Sequence, residues 1–481
     1  MSADPSRELV RRRQIRITTA EQVVRLGFQL ATFLGLARTL DAAQFGSAAV
    51  VLAVVSFVYM IGQLGVEAAT IRERLPTQEL ASLASLILAV NLFLAAVLAA
   101  TGLALASSTD GKSWPLCLAA AVGLPMWAAG AIPRARLLQE GKITAVAVGG
   151  VVGSAINAMS VTILTRWTNE AYVALLSTSL AVGGSAAVYY FSIDRIGWGQ
   201  LRRPRASITR FISHVSAFNT INYVARNGDT IVVAIFLGAA AAGIYDRAYA
   251  LTLYPLTAAS QVVGRLSYLW FVEVLRQERS DPAATTARLE TTTARALTLT
   301  TLLAAPPLLS LAVLAQPFVD VVFRDSMREA GGLLAILATG AVAQAWQQPT
   351  GQLLQATGET KVLYRRGGLF SALHLPALAL GLLIAGVHGA AIGLAAYSWA
   401  STPLVWRMTA SATGISLGRT VRQCARPIAA AFATVPVAVA VRLSADVQSP
   451  LVLGLGGASA AAVGCVSCMY LSRRAVHEDQ P

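Results

Sequence analysis

Charge is scarce in this chain. Asp, Glu, Lys and Arg together make up 13% of 481 residues, about half the share that a soluble globular domain carries. A soluble enzyme or soluble binding module is excluded on that ground. Acid is scarcer than base, with 24 Asp and Glu against 38 Lys and Arg. Cysteine is almost missing, and the four present, Cys117, Cys424, Cys465 and Cys468, exclude a disulfide scaffold. Cys465-x2-Cys468 lies in an Ala/Gly-rich run with no second ligand pair, so it reads as two packed small residues and not as a metal site. Neither a Walker phosphate loop nor an HExxH pair occurs, so the usual nucleotide and zinc chemistries have no foothold.

Long apolar runs take the place of charge. With 55% hydrophobic residues and a mean hydropathy of +0.60, the sequence predicts an all-α polytopic membrane protein of about fourteen transmembrane helices, each near the 20 residues that the hydrocarbon core demands. A count of twelve is the nearest alternative, through the last pair or a polar middle span. The expected organisation is a cytoplasmic N-terminal tail at 1–14, a first six-helix lobe at 15–193, and a basic cytoplasmic linker at 194–210. A second six-helix lobe at 211–410, two additional helices at 411–471 and a cytoplasmic tail at 472–481 follow. The first span is too long and too polar for a cleavable signal segment.

The basic residues alternate by loop. Most of the 38 fall in segments on one side, such as Arg11, Arg12 and Arg13, then Arg202, Arg203 and Arg205, then Lys361, Arg365 and Arg366. The other side holds only Arg38, Lys112, Arg166, Arg324, Arg328 and Arg442. This is the positive-inside pattern. It places both termini in the cytoplasm of a cell whose inner membrane the chain crosses, and it accounts for the net charge of +14 without nucleic acid. The segments on the outer side are short, which leaves little room for the catalytic loop of a membrane glycan polymerase or ligase.

Four arginines remain inside the apolar runs: Arg25, Arg226, Arg247 and Arg265. Each costs about 2.5–3.5 kcal/mol at a helix centre, so each must face protein, water or an anionic cargo. An internal repeat adds a second constraint. Offsetting the chain by 197 residues lays Leu36–Val54 on Val233–Leu251, pairing Leu40 with Leu237, Ala42 with Ala239 and Gly46 with Gly243. The same offset lays Gln22 on Asn219, Arg25 on Asn222, Gln29 on Arg226 and Thr32 on Asp229. Polar stripes therefore superpose in the two halves, which lie an even number of helices apart. Such halves are related by a pseudo-two-fold axis along the membrane normal. On helical spacing the candidate cavity residues are Arg25, Gln29, Asn222, Arg226, Arg247, Tyr254, Gln261 and Arg265, with Tyr223 and Tyr249 nearby. Glu21 and Asp229, one turn from Arg25 and Arg226, are the candidates for H⁺ or Na⁺ coupling, with simple counter-charge as the alternative. Pro125, Pro255, Pro306, Pro307, Pro349, Pro376 and Pro403 interrupt spans and permit bending. Gly149-x3-Gly153 reads as a helix-contact motif.

Leu36–Arg74, with its LARTLDAAQFG turn, resembles the opening of the Wzx-type polysaccharide biosynthesis flippases, and Gly228–Phe271 is similar to their second-half signature. Leu354–Arg366, LQATGETKVLYRR, resembles a later connection of the same family, which belongs to the multidrug/oligosaccharidyl-lipid/polysaccharide exporter superfamily. RWTNEAYVAL at Arg166–Leu175 departs from the family's pattern. The resemblance implies a transporter rather than an enzyme, with no cofactor. It implies translocation of an undecaprenyl-diphosphate-linked oligosaccharide across the cytoplasmic membrane by alternating access, and the arginines are then the natural diphosphate contacts. Membrane lipids, the lipid-linked glycan, and glycosyltransferases or a polymerase of the same pathway are the implied partners. An ion-coupled multidrug or small-cation exporter of the superfamily is the alternative, and a membrane glycan polymerase or ligase a second.

Overall fold

The computed structural model describes residues 5–63, 77–106, 113–193, 206–277, 282–359, 362, 368–444 and 449–478. No strand occurs among them. The helices are α1 (Pro5–Thr39), α2 (Ala42–Gln63), α3 (Thr77–Ala106), α4 (Ser113–Gln139), α5 (Ile143–Leu164), α6 (Tyr172–Phe191) and α7 (Ala206–Gln277). They continue as α8 (Pro282–Val313), α9 (Ala315–Val322), α10 (Ala330–Ala356), α11 (Gly368–Thr413), α12 (Leu417–Ala431), α13 (Thr434–Arg442) and α14 (Pro450–Glu478). Nine stretches among the described residues are long and apolar enough to cross a membrane, and Ala42–Val58 is a shorter apolar helix. The protein is an all-α polytopic membrane protein.

Two of these stretches, Gly228–Arg276 and Ala372–Thr413, are each about twice the length of one crossing. Each is broken at a glycine. Gly238 has φ 84° and ψ 175° inside α7, and Gly386 has φ 58° and ψ −143° inside α11. Both conformations are essentially restricted to glycine, which lacks the Cβ that would clash there. The prolines expected to interrupt spans lie inside α4, α7, α8, α10 and α11.

The chain clusters into two units, residues 1–231 and 232–481. In the first, α4 packs against α3 and α6, α6 against α5, and α5 against α1. Ile87, Leu124, Ile132 and Leu175 are buried along these seams. Apolar area does not separate a helix neighbour from lipid, so close packing carries the assembly. Glycines on α5 make that packing close. A Cβ on Gly149 would lie 2.1 Å from Tyr189 Cε1, and one on Gly153 would lie 2.1 Å from Ser185 Oγ. The Ser185 hydroxyl donates across the same seam to the Gly149 carbonyl at 2.9 Å.

In the second unit α8 is the hub, packed against α10, α12 and α14. Leu256 and Ala259 of α7 join it through Ala304, Leu308 and Ala341. Gln347 of α10 donates to Thr402 Oγ1 at 2.9 Å and Trp406 Nε1 to the Trp346 carbonyl at 3.1 Å, tying α10 to α11. Within α11 the two arms touch backbone to backbone, since a Cβ on Gly381 would meet the Gly389 carbonyl oxygen at 2.0 Å. Glu290, 2% exposed, accepts from the Ser416 backbone N–H at 2.7 Å and from Arg419 Nη2 at 3.0 Å. That contact fastens the start of α12 to α8.

Candidate functional site

The polar stripe of α1 faces a cavity of about 330 Å³ inside the first unit. Glu21, Arg25, Gln29 and Thr32 follow one another at helical spacing, so one face of α1 carries all four into the lining. Arg134 of α4, Gly150, Ser154 and Asn157 of α5, and Thr178, Ser185 and Tyr189 of α6 complete the polar part. Gly150 lets α1 approach, since a Cβ there would sit 2.8 Å from Glu21 Oε1. Arg25 Nη1 donates to Glu21 Oε1 at 3.3 Å, with 35% of the Arg25 side chain and 13% of the Glu21 side chain exposed. This single contact leaves Arg25 Nε buried with no acceptor, and Asn157 Oδ1 is buried with no donor. A smaller chamber of about 200 Å³, with Trp127 and Gly130 in its wall, shares Arg134, Val182, Ser185 and Tyr189 with the first. Arg134, Arg25 and Glu21 all act electrostatically on the Tyr189 hydroxyl.

The other expected residues are distributed as follows. Arg247 lies in the second unit and pairs with its chain neighbour Asp246, donating from Nε to Oδ2 at 2.9 Å and also from Nη2. Tyr254 stands within electrostatic reach of that pair. Tyr249 stacks on the fully buried Tyr245 with ring centroids 6.0 Å apart. Asp229 is 1% exposed, and its Oδ1 accepts from the Thr230 N–H at 2.8 Å. The side chains of Asn222, Tyr223, Arg226, Gln261 and Arg265 lie outside the described residues. Among the described residues no group of three or more His, Cys, Asp or Glu gathers in a form that could hold a metal ion.

Arg134 is a cavity-lining residue that hydropathy misplaces. A span that ends at Pro133 makes Arg134 a loop charge, whereas α4 continues through Pro133 to Gln139. The readable signal was the helix-compatible run Ala135–Gln139, uninterrupted until Gly141. Asn157 was legible too, because Gly150, Ser154 and Asn157 repeat at spacings of four and three on α5. Asp246, the acid that holds Arg247, sits at a spacing that helical-face reasoning does not examine.

One letter pattern points to different chemistry and fails on context. Gly414-Ile415-Ser416-Leu417-Gly418 satisfies G-x-S-x-G, which marks a nucleophile only at a strand-to-helix elbow. Here Ser416 is the N-cap of α12, its hydroxyl accepting from the Arg419 N–H. Helix capping explains it.

A family model described as polysaccharide biosynthesis protein matches residues 35–330. The lipopolysaccharide biosynthesis protein WzxC of Escherichia coli is 27% identical over 184 residues, 38% of this chain and 36% of that protein. The succinoglycan biosynthesis transport protein ExoT of Rhizobium meliloti is 24% identical over 327 residues, 65% of this chain and 62% of that protein. The chain thus spans less than two thirds of the length of either relative. Among solved structures, the lipid II flippase MurJ in an inward closed conformation has the same fold, with a TM-score of 0.69 at 12% identity over 96% of this chain and 100% of that one.

Proposed function

Because the chain belongs to the polysaccharide biosynthesis protein family, whose model spans residues 35–330, we propose that it is a flippase for an undecaprenyl-diphosphate-linked oligosaccharide. It carries this cargo from the inner to the outer leaflet of the cytoplasmic membrane for cell-surface polysaccharide biosynthesis. Two six-helix lobes, 15–193 and 211–410, related by a pseudo-two-fold axis, alternate in access, and two further helices follow. The N- and C-termini are cytoplasmic. Relatives named for lipopolysaccharide biosynthesis and for succinoglycan transport support this cargo class.

The observation that carries the reading is the sign of charge in the cavity. Two guanidinium groups, Arg25 and Arg134, stand against one carboxylate, Glu21. Guanidinium stays ionised and binds phosphate oxygens two at a time, so a diphosphate is a matched cargo. A small-cation exporter would place its cargo against that excess of positive charge. Arg247 and Tyr254, with Asn222, Arg226, Gln261 and Arg265 of α7, are assigned as further cargo contacts on the sequence spacing. Gln29 lies beside Arg25 in the first cavity. Glu21 and Asp229 take up H⁺ or Na⁺ during the cycle, and glycosyltransferases or a polymerase supply and consume the glycan.

In cells lacking their own flippase, expression of this chain restores surface glycan, and Arg25→Ala, Arg226→Ala or Arg265→Ala abolishes it while membrane insertion persists. Unchanged glycan in all three variants sinks these contacts.

A further inference from the structure

We propose that the exposed face of α12 is a docking surface for anionic phospholipid, with Arg419, Arg422 and Arg426 on the headgroup phosphate and the apolar residues beside them against its acyl chains. The inference needs only that the chain crosses a membrane, and it stands apart from the flippase reading.

The helix has two faces. Thr420, Cys424, Pro427 and Ala431 recur at helical spacing and are buried, and Cys424 packs with Ala294 of α8 and Trp406 of α11. Arg419, Arg422 and Arg426 recur at spacings of three and four on the other side, and all three are exposed. Neighbouring helices extend the patch. Arg295 follows the packed Ala294 and Arg407 follows the packed Trp406, and both arginines are exposed. Acid is missing from the same region, since the sequence holds no Asp or Glu between Glu359 and Asp446. Glu290 reaches α12 from α8, but it is buried and already accepts from the Ser416 N–H and from Arg419.

This arrangement runs against helix stability. The first turn of a helix favours acid, because its free N–H groups carry partial positive charge, yet α12 has no acid there and places Arg419 instead. An anion from outside the chain supplies what the sequence withholds, and depth selects lipid as its source. α12 opens the apolar stretch Leu417–Arg442 of 26 residues, about 39 Å long against a hydrocarbon core of about 30 Å. Arg419 and Arg426 are about 10 Å apart along the axis, so the row climbs from the headgroup zone toward the hydrocarbon edge. Guanidinium groups at that depth extend to the phosphate level, where they bind bidentately. Val421, and Leu404 one turn before Arg407, are exposed too. They match acyl chains, which an acidic soluble protein does not offer.

The test is native mass spectrometry of the full chain released from detergent micelles, titrated with phosphatidylglycerol and, separately, with phosphatidylcholine of the same acyl chains. Phosphatidylglycerol binds the parent at least about tenfold more tightly. Each arginine near an anionic surface is worth about fivefold in affinity. Arg422→Gln therefore weakens phosphatidylglycerol about fivefold and Arg422→Gln/Arg426→Gln at least about tenfold, while phosphatidylcholine is unchanged. Arg422→Lys/Arg426→Lys keeps the charge and most of the binding. Arg166→Gln, which removes an exposed arginine of the first unit, keeps all of it. Three results overturn the proposal: equal affinity for the two lipids, phosphatidylglycerol affinity unchanged in both glutamine variants, and displacement of phosphatidylglycerol by inorganic phosphate, which assigns the arginines to a free anion. Surface glycan lost in the glutamine variants while lipid affinity is unchanged assigns the face to an acidic protein partner and likewise overturns the lipid.

Discussion

Gly149→Ala tests whether the wall of the cavity is set by helix contact. The added methyl would lie 2.1 Å from Tyr189 Cε1 and 2.8 Å from Cδ1 and Cζ, where carbon atoms rest at about 3.5–4.0 Å. Relieving that overlap moves either α5 or the Tyr189 ring by about 1.5 Å, and overpacking of this kind costs about 1–3 kcal/mol. Alanine recovers about 0.8–1.0 kcal/mol of helix propensity over glycine, so the expected net loss is about 0–2 kcal/mol and Gly149→Ala falls about 1–3 kcal/mol below a glycine-to-alanine change made in open space. Gly27→Ala is the control. Nothing lies within 4 Å of a Cβ there, so that variant keeps the propensity gain and is more stable than the parent by up to about 1 kcal/mol.

The assay is reversible unfolding in mixed micelles, followed by tryptophan fluorescence, on Gly149→Ala, Gly27→Ala, Tyr189→Leu and the Gly149→Ala/Tyr189→Leu pair. With the ring gone, the alanine at 149 regains its propensity advantage, and the two changes couple by about 1–3 kcal/mol. Equal stability of Gly149→Ala and Gly27→Ala, or coupling under about 0.5 kcal/mol, refutes the reasoning that this seam is set by contact between Gly149 and Tyr189.

Glu290→Gln keeps the shape of a carboxylate that is 2% exposed but removes the charge that Ser416 N–H and Arg419 address. The expected cost is about 1.5–3 kcal/mol, seen as faster amide exchange at the start of α12, and unchanged exchange there counts against the fastening role. Gly386→Ala places a Cβ at φ 58° and ψ −143°, which costs about 1–3 kcal/mol and lowers the yield of folded protein, while parental yield rejects that estimate. In the turn after α4, Lys142 first and then Arg136 hold the Glu140 carboxyl below the usual glutamate range. A lowered folded pKa contributes stability that is present above the ordinary glutamate range and lost as pH falls through the folded value. Amide protection at residues 140–143 should therefore hold down to mildly acidic pH and fall below it, and Glu140→Gln should flatten that profile.

The membrane class and the polar face of α1 were legible because both rest on one-dimensional signals: apolar run length, and the spacing of Glu21, Arg25, Gln29 and Thr32. The closing wall of the cavity was less so. Arg134 lies beyond Pro133, where a hydropathy window ends, yet α4 continues because a proline removes one donor and does not forbid a helix whose flanks are packed. Gly150 illustrates a second limit. The sequence announces a small residue, but only the fold says that its missing Cβ makes room for Glu21 Oε1 rather than for a neighbouring backbone.

Arg25 and Arg247 carry the same signature in sequence, an arginine within an apolar run, and the fold resolves them differently. Arg247 is committed, with Nε and Nη2 both on Asp246 and 18% of its side chain exposed. Any other anion that pairs with these Arg247 nitrogens must first displace that acid. Arg25 makes one contact to Glu21 at 3.3 Å, keeps 35% of its side chain open and holds a buried Nε with no acceptor. Leaving a buried donor unmet costs about 1–3 kcal/mol, a penalty that an acceptor placed against Arg25 Nε would remove. Of the two guanidinium groups, the one in the cavity of the first unit therefore keeps an open hydrogen-bonding position, and the one on α7 does so only by giving up its acid.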